Sequence, residues 1–156
     1  MEPKDAAPAA VRRSIIAWTC AVAAGVAETV LHVGRLVADG APAEGLAGQL
    51  VLRGAVYAAV LVLVLRLRRG GNGVRIAVAV LVGGLGTASM VGPPIAEVLG
   101  GLPVEQAFLT GTGPWAWTFA ALRAAHLVAV CAGLVLLFAP ASNANFRAVG
   151  AAAGRP

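Results

Sequence analysis

Residues 127–138 read LVAVCAGLVLLF, twelve apolar residues in succession with no polar side chain between them. A strand of a transmembrane β-barrel would alternate polar and apolar residues instead. Uninterrupted apolarity of this kind, within a mostly apolar segment that begins at Trp115, predicts a helix long enough to cross a lipid bilayer. The stretch therefore favours an all-α membrane protein.

Three other stretches have the same character. The predicted spans cover residues 15–38, 50–65, 74–91 and 115–138. We expect them to form an integral membrane four-helix bundle, preceded by a tail at residues 1–14 and followed by a tail at residues 139–156. The composition of residues 1–10 and 140–156, rich in alanine and proline, predicts disorder. The long loop at residues 92–114 is expected to hold a short interfacial helix over residues 95–102.

The overall composition excludes a water-soluble domain. The chain has 156 residues, of which 59% are hydrophobic and 12% are charged. Soluble globular chains have about 25% charged residues, and a small domain needs a polar coat over most of its surface. Two cysteines also exclude a disulfide scaffold. The length is that of a single domain.

The charged residues between the spans indicate the orientation in the membrane. One side of the predicted bundle collects nine basic residues, namely Lys4, Arg12, Arg13, Arg66, Arg68, Arg69, Arg75, Arg147 and Arg155. The opposite loops contain Asp39, Glu44, Glu97 and Glu105 and no basic residue. Because basic loops stay inside the cell, both termini are predicted to be cytoplasmic in a multi-pass protein of the cell membrane. The net charge of +5 then reflects topology, and nucleic acid is not an expected partner.

Ionisable side chains inside the predicted spans are the main candidates for function, because each is costly in hydrocarbon unless it is paired or hydrated. On the first span, Glu28, His32 and Arg35 are spaced by four and three residues and share one helix face. The other members, also about one helical turn apart, are Arg53 with Tyr57 and Arg123 with His126.

The depths of these residues predict that they meet. Counted from the midpoint of each span, Glu28 and His126 lie near the bilayer centre. The residues in the outer half are His32, Arg35, Arg53 and Arg123. We therefore expect a polar pocket that reaches from mid-membrane to the outer face. A simpler interpretation stays open, in which Glu28 pairs with Arg123 or Arg53 only to lock the helices together. The excess of cations over carboxylates favours a site for an anionic ligand.

Other signals are interpreted as structural. The small residues between Gly83 and Ser89 are expected to allow close helix packing. Cys20 and Cys131 are expected to be buried as small hydrophobic residues. Trp115, at the outer end of the fourth span, is typical of an interface anchor. Two histidines without an evident third ligand predict no metal site.

Two stretches resemble the anthrone-oxygenase-like family of small four-helix membrane proteins. Residues 87–99, TASMVGPPIAEVL, are similar to that family's pattern of Thr, then Asn-Val-Pro-Leu-Asn, then Leu. Residues 113–123, GPWAWTFAALR, are similar to its Trp…Arg entry into the fourth helix. Thr87, Pro94, Trp115 and Arg123 match the pattern. Gly92 and Ala96 stand where the family has asparagine.

The resemblance implies an activity. Some members of the family oxygenate polyketide anthrones to anthraquinones with no metal or flavin, so we expect no cofactor. The implied substrate is a small lipophilic molecule that gives up a proton to a base and then reacts with dioxygen. The expected catalytic residues are His32, His126, Arg123 and Glu28, and the expected substrate-binding residues are Arg35, Arg53, Tyr57 and Trp115. The histidines are candidate bases, and the arginines are candidate partners of the oxyanion.

Two other classes of function stay open. The chain is also compatible with a small transport or proton-coupled membrane subunit in which Glu28 and the histidines titrate. Because four helices are few for a transporter, that interpretation requires a homo-oligomer. The remaining alternative is a structural membrane partner that binds no ligand other than the lipid bilayer.

Overall fold

The computed structural model describes residues 8–40, 42–69, 71–109 and 113–153, and helix dominates these ranges, with no strand in them. Four helices are long and apolar enough to cross a membrane, at Ala9–Ala38, Leu46–Arg69, Asn72–Leu99 and Pro114–Leu137. The prediction of an all-α chain with four membrane-length helices is therefore confirmed. These helices are compatible with a multi-pass membrane protein.

The helices follow one another with short connections. In chain order they are α1 (Ala9–Ala38), α2 (Ala43–Arg66) with a 3₁₀ turn (Leu67–Arg69), α3 (Asn72–Val78), a π-helical segment (Ala79–Gly86), α4 (Thr87–Leu99), α5 (Val104–Phe108), α6 (Pro114–Leu137) and α7 (Pro140–Ala153). The third apolar helix thus consists of α3, the π-helical segment and α4 in continuous succession.

The antiparallel pair of α1 and α6 is the most extensive helix contact. The buried residues of the first half of α1 recur every three or four positions, at Val11, Ser14, Ile15, Trp18 and Ala21. A Cβ atom at Gly133 of α6 would lie 2.8 Å from the Trp18 ring, so glycine is what lets the indole approach the α6 backbone. The hydroxyl of Ser14 donates a hydrogen bond of 3.0 Å to the carbonyl of the same glycine.

The core is concentrated at one end of the molecule, which we call the tail end. It comprises the starts of α1 and α3, the ends of α2 and α6, and α7. Apolar residues buried there come from all of these helices, at Val11, Ile15, Trp18, Val64, Leu67, Val78, Val130, Leu137 and Phe146. At the opposite end, here called the loop end, much of α2 is exposed, including Val51 at 73% and Leu52 at 67%. The loop end is therefore packed far more loosely than the tail end.

The C-terminal tail differs from expectation. Disorder was predicted for residues 140–156, and the structure instead has α7 over Pro140–Ala153. Phe146 is 2% exposed, and the hydroxyl of the buried Ser142 donates a hydrogen bond of 2.7 Å to the Leu136 carbonyl. One aromatic side chain and one polar side chain anchor a helix whose composition alone does not indicate burial. Residues 1–7 lie outside the described residues, and α1 begins at Ala9, before the predicted start of the first span.

The predicted loop at residues 92–114 is also wrong in part. The third apolar helix continues to Leu99 with Pro93 and Pro94 inside it, and the expected separate helix over residues 95–102 is the end of α4. A proline removes one backbone donor without ending a helix when the surrounding protein accommodates the freed carbonyl. The short helix α5 lies further along, and α6 starts after Gly113, whose φ of 76° suits glycine.

Candidate functional site

A cleft of about 590 Å³ lies between the loop-end halves of the long helices. Its polar wall belongs to α1, α2 and α6, and its other wall belongs to the third apolar helix. The residues that line the cleft include Gly25, Glu28 and Thr29 of α1, Arg53 and Tyr57 of α2, Gly86, Ser89, Met90, Pro93 and Pro94 of the third apolar helix, and Arg123 and His126 of α6. Five of the eight residues predicted for the site therefore line one cleft.

An ion pair joins α1 to α6 at the cleft. Nε of Arg123 donates a hydrogen bond of 2.8 Å to Oε1 of Glu28. The two side chains are 25% and 19% exposed, respectively, so both sit where solvent screening is reduced. Within the described residues, the two terminal nitrogens of the Arg123 guanidinium form no hydrogen bond. The pair thus orients the arginine and leaves donors for an anionic group.

His126, one turn beyond Arg123 on α6, is oriented by the backbone of α1. Its Nδ1 lies 2.9 Å from the carbonyl oxygen of Ala21. A carbonyl can only accept, so Nδ1 has the proton, and in the neutral ring the lone pair is on Nε2. Nε2 is buried and has no hydrogen-bond partner among the described residues. His126 therefore has a buried basic nitrogen without a partner among these residues, next to the cleft that its side chain helps to line.

Thr29 is the centre of a hydrogen-bonded group between α1 and α2. Its hydroxyl lies 2.8 Å from the hydroxyl of Tyr57 and accepts a hydrogen bond of 3.2 Å from Nη1 of Arg53. Both hydroxyls also lie within 3.0 Å of the Gly25 carbonyl. A Cβ at Gly25 would lie 3.3 Å from the Tyr57 ring, so the glycine permits this approach. The group holds the Arg53 and Tyr57 side chains at the cleft.

His32 lies outside this cleft. Its ring makes an edge contact with Phe119 at 6.3 Å between centroids. It lines a separate cavity of about 10 Å³, roughly the size of one water molecule, together with Gln49 and Arg53. The expectation that both histidines meet in one pocket is therefore wrong. Its spacing places His32 on the same face of α1 as Glu28. It lies nearer the C-terminal end of α1 than the residues that contact Arg123 and His126 of α6.

Arg35 and Trp115 also lie away from the cleft lining. Arg35 is 3.7 Å from Asp39, one turn along α1, with the two side chains 37% and 67% exposed. Trp115 is 50% exposed near the start of α6, which is compatible with an interface anchor. Within the described ranges, no three His, Cys, Asp or Glu side chains come together as ligands for a metal.

Several residues in the cleft escaped the sequence analysis. Thr29 was not singled out, although it adjoins Glu28 and follows Gly25 by one turn. Gly86 and Ser89 were expected only to pack, and both line the cleft. Gly83 does pack, because a Cβ there would lie 3.1 Å from Leu134. The adjacent Pro93 and Pro94 were the feature of the sequence that could have indicated this wall of the cleft. Two missing backbone donors inside an apolar helix indicate irregular backbone.

Two further expectations need correction. Cys20 and Cys131 are both exposed in this chain, not buried. Arg75, counted above only as an inside charge, is 7% exposed and packs under α7. Its guanidinium carbon lies 4.2 Å from the centre of the Phe138 ring and 5.1 Å from that of Phe146, and the guanidinium donates a hydrogen bond to Asn143.

No protein-family model, curated protein or solved structure matches this chain.

Proposed function

We propose that this chain is a membrane enzyme whose cleft binds a small lipophilic acid and removes a proton from it. One observation carries the proposal: His126 lines the cleft with its Nδ1 bound to a backbone carbonyl and its Nε2 without a partner among the described residues. A fixed tautomer with a buried basic nitrogen is suited to a general base. The enzyme has both termini in the cytoplasm, and the cleft faces the outer half of the bilayer.

The residues around His126 have separate roles in the proposed reaction. His126 accepts the proton at Nε2 while negative charge develops on an oxygen of the substrate. The terminal nitrogens of Arg123, and Arg53 from the opposite side of the polar wall, stabilise that oxyanion. Glu28 is a positioning residue, since it holds Nε of Arg123 at 2.8 Å and directs the rest of the guanidinium away from itself. The Tyr57 hydroxyl donates its proton to the Gly25 carbonyl at 2.9 Å, so Tyr57 fixes the shape of this wall and does not donate to the substrate.

The resemblance to the anthrone-oxygenase-like family supports a finer proposal, that the substrate is an anthrone-like polyketide and dioxygen is the co-substrate. Loss of a proton from the ring CH₂ gives a delocalised carbanion, which transfers one electron to dioxygen. The substrate radical and superoxide combine to form a C–O bond, and the resulting peroxide anion takes the proton back from His126. The hydroperoxide then loses water to leave a ketone. Overall, one CH₂ group and one O₂ become one C=O group and one H₂O. The substrate supplies the electrons, so the protein needs to supply only the base and the cations.

The surroundings of the cleft support an apolar substrate. The loop-end half of α2 exposes apolar side chains beside the cleft, among them Leu52 at 67% and Val56 at 51%. A molecule dissolved in the bilayer, and dioxygen with it, can enter from the side. The volume of about 590 Å³ is within the range of small-molecule sites and is large enough for two or three fused rings.

The test uses the protein in lipid vesicles with anthrone and dioxygen. His126→Gln removes the base and keeps a side chain of similar volume, so we expect turnover to fall by roughly a hundredfold or more. His32→Gln is the matched control, because His32 lines a different cavity, and its turnover should stay within about twofold of the wild type. Anthraquinone absorbance and oxygen consumption are measured together. An active His126→Gln protein would contradict the proposal.

The orientation is tested separately with reporter fusions. A reporter after Pro156, or inserted between residues 70 and 73, should report the cytoplasm. A reporter near Pro42 should report the exterior. An exterior signal from the connection between α2 and α3 would contradict the proposed topology.

A further inference from the structure

The third apolar helix has irregular backbone in two places, and part of that irregular backbone lines the cleft. Its middle is π-helical over Ala79–Gly86, and its last part contains Pro93 and Pro94. Within a membrane, interruptions of the backbone hydrogen-bond ladder are tolerated where they face protein or a polar cavity. Gly86, at the end of the π-helical segment, and both prolines line the cleft. The end of the π-helical segment and the two prolines therefore border the cleft.

The prolines leave two specific carbonyls without their helical donors. In an α-helix, the carbonyl of Ser89 accepts from the N–H of residue 93, and that of Met90 accepts from the N–H of residue 94. Proline has no N–H, so neither bond forms here. The Ser89 hydroxyl donates to the Gly86 carbonyl at 2.8 Å and so serves a third backbone oxygen. Ser89 and Met90 both line the cleft, between Gly86 and the prolines along the same wall.

The other wall has the opposite hydrogen-bonding character. Arg53 and Arg123 are donors there, while the Tyr57 hydroxyl already donates to the Gly25 carbonyl and the carboxylate of Glu28 already accepts from Arg123. The remaining acceptor on this side, Nε2 of His126, is buried. A molecule that is only an anion would satisfy this wall and offer no donor to the two carbonyls, which is unfavourable if they remain unpaired. A molecule with an anionic oxygen at one edge and a hydroxyl group at the far edge would satisfy both walls.

We propose that the carbonyl oxygens of Ser89 and Met90 form an acceptor subsite for a hydroxyl group of the ligand. The ligand class is then a lipophilic acid that bears a hydroxyl group on the edge remote from its anionic oxygen. This inference rests on the proposed function, because it assumes that the cleft binds an anion. It adds a specificity determinant on the third apolar helix that acts through backbone atoms, not through a side chain.

The experiment compares three rigid probes: 2-naphthoate, 6-hydroxy-2-naphthoate and 6-methoxy-2-naphthoate. All have the same carboxylate, and only the second has a remote donor. Affinities are measured by naphthalene fluorescence with the protein in nanodiscs of zwitterionic lipid. We expect the hydroxy probe to bind the wild type about fivefold more tightly than the methoxy probe, the ratio typical of one neutral hydrogen bond. Each of Pro93→Ala and Pro94→Ala restores a backbone donor to one of the two carbonyls, so the ratio should fall in each variant, and in the double variant it should fall toward one.

The controls separate failure of this inference from failure of the proposed function. Pro103→Ala, a proline before α5 and outside the cleft lining, should keep the wild-type ratio. Arg123→Gln should weaken all three probes alike and keep the ratio between them. Equal binding of the hydroxy and methoxy probes to wild type, with Arg123 still required, would overturn the acceptor subsite and leave the anion site standing. No binding of any naphthoate would overturn both. Either proline variant alone suffices if the other does not fold.

Discussion

The two ends of this protein each hold an arginine between helices, and they hold it in different ways. At the tail end, Arg75 is 7% exposed, lies against the faces of Phe138 and Phe146, and donates to the amide of Asn143. Neither of the two ion pairs that the structure describes includes it. At the cleft, Arg123 has a carboxylate partner, Glu28, and is 25% exposed.

The two arginines differ in how much of the guanidinium group stays available to a ligand. The rings of Phe138 and Phe146 lie against the Arg75 guanidinium, which also donates to Asn143, so α7 is attached to α3 and the tail end is closed. The Glu28 carboxylate accepts a hydrogen bond from one edge of the Arg123 guanidinium and compensates its positive charge. The rest of the guanidinium still borders a cleft of about 590 Å³. A guanidinium packed against aromatic rings holds two helices together, whereas a guanidinium paired at one edge can also bind a ligand.

We expect the largest loss of stability from a substitution that disrupts the packing of the tail end. Phe146 is 2% exposed and covers one face of Arg75. Phe146→Ala removes that cover and leaves a cavity, and we expect the free energy of unfolding to fall by about 3–5 kcal/mol. Phe108→Ala, at a phenylalanine that is 36% exposed, is the control and should cost much less. Chemical denaturation in detergent measures both, and equal losses would show that α7 does not secure the tail end.

Breaking the ion pair at the cleft should have a smaller effect. Arg123→Ala leaves Glu28 with no partner in a region of low dielectric, and we expect a loss of about 2 kcal/mol, less than for a fully buried pair because both side chains are partly exposed. The double variant Arg123→Leu with Glu28→Leu removes both charges and should recover most of that stability. If the double variant is no more stable than the single one, the ion pair is not the origin of the loss.

A pair of glycine variants compares the packing of the two ends directly. In Gly133→Ala the new Cβ would meet the Trp18 ring at 2.8 Å, and we expect a loss of about 1–3 kcal/mol. In Gly25→Ala the closest atom is in the Tyr57 ring at 3.3 Å, beside the cleft where the ring can move, so the loss should be below ~1 kcal/mol. Thermal unfolding of the two variants in the same detergent gives the ranking, and the reverse order would mean that the cleft is the rigid end.

The smallest effect is expected at the exposed pair on α1. Arg35 and Asp39 are 3.7 Å apart with more than a third of each side chain exposed. Arg35→Ala should change the free energy of unfolding by less than ~0.5 kcal/mol and leave activity unaltered, because the residue does not line the cleft. A marked loss of turnover in this variant would extend the site beyond the cleft toward the loop end.

The class of the fold was predictable from the sequence, and the reason is the solvent. In hydrocarbon every backbone donor and acceptor must be satisfied within the segment, so a long apolar stretch without alternation is a helix. The same reasoning predicted that Glu28, Arg53, Tyr57, Arg123 and His126 lie on inward-facing stripes, since the helical repeat alone decides which residues share a face. Burial of α7 was not predictable, because a single phenylalanine among small residues gives no periodic signal.

The choice of partners was left to the tertiary structure. Glu28 could have paired with Arg53 or Arg123 on spacing alone, and the structure pairs it with Arg123 and gives Arg53 to Thr29. His32 and His126 have equally suggestive positions, yet only His126 lines the cleft. Apolarity decides that helices form and how long they are, while side-chain partners depend on helix rotation and tilt. Rotation and tilt are set by contacts such as Trp18 on Gly133, between residues far apart in the chain.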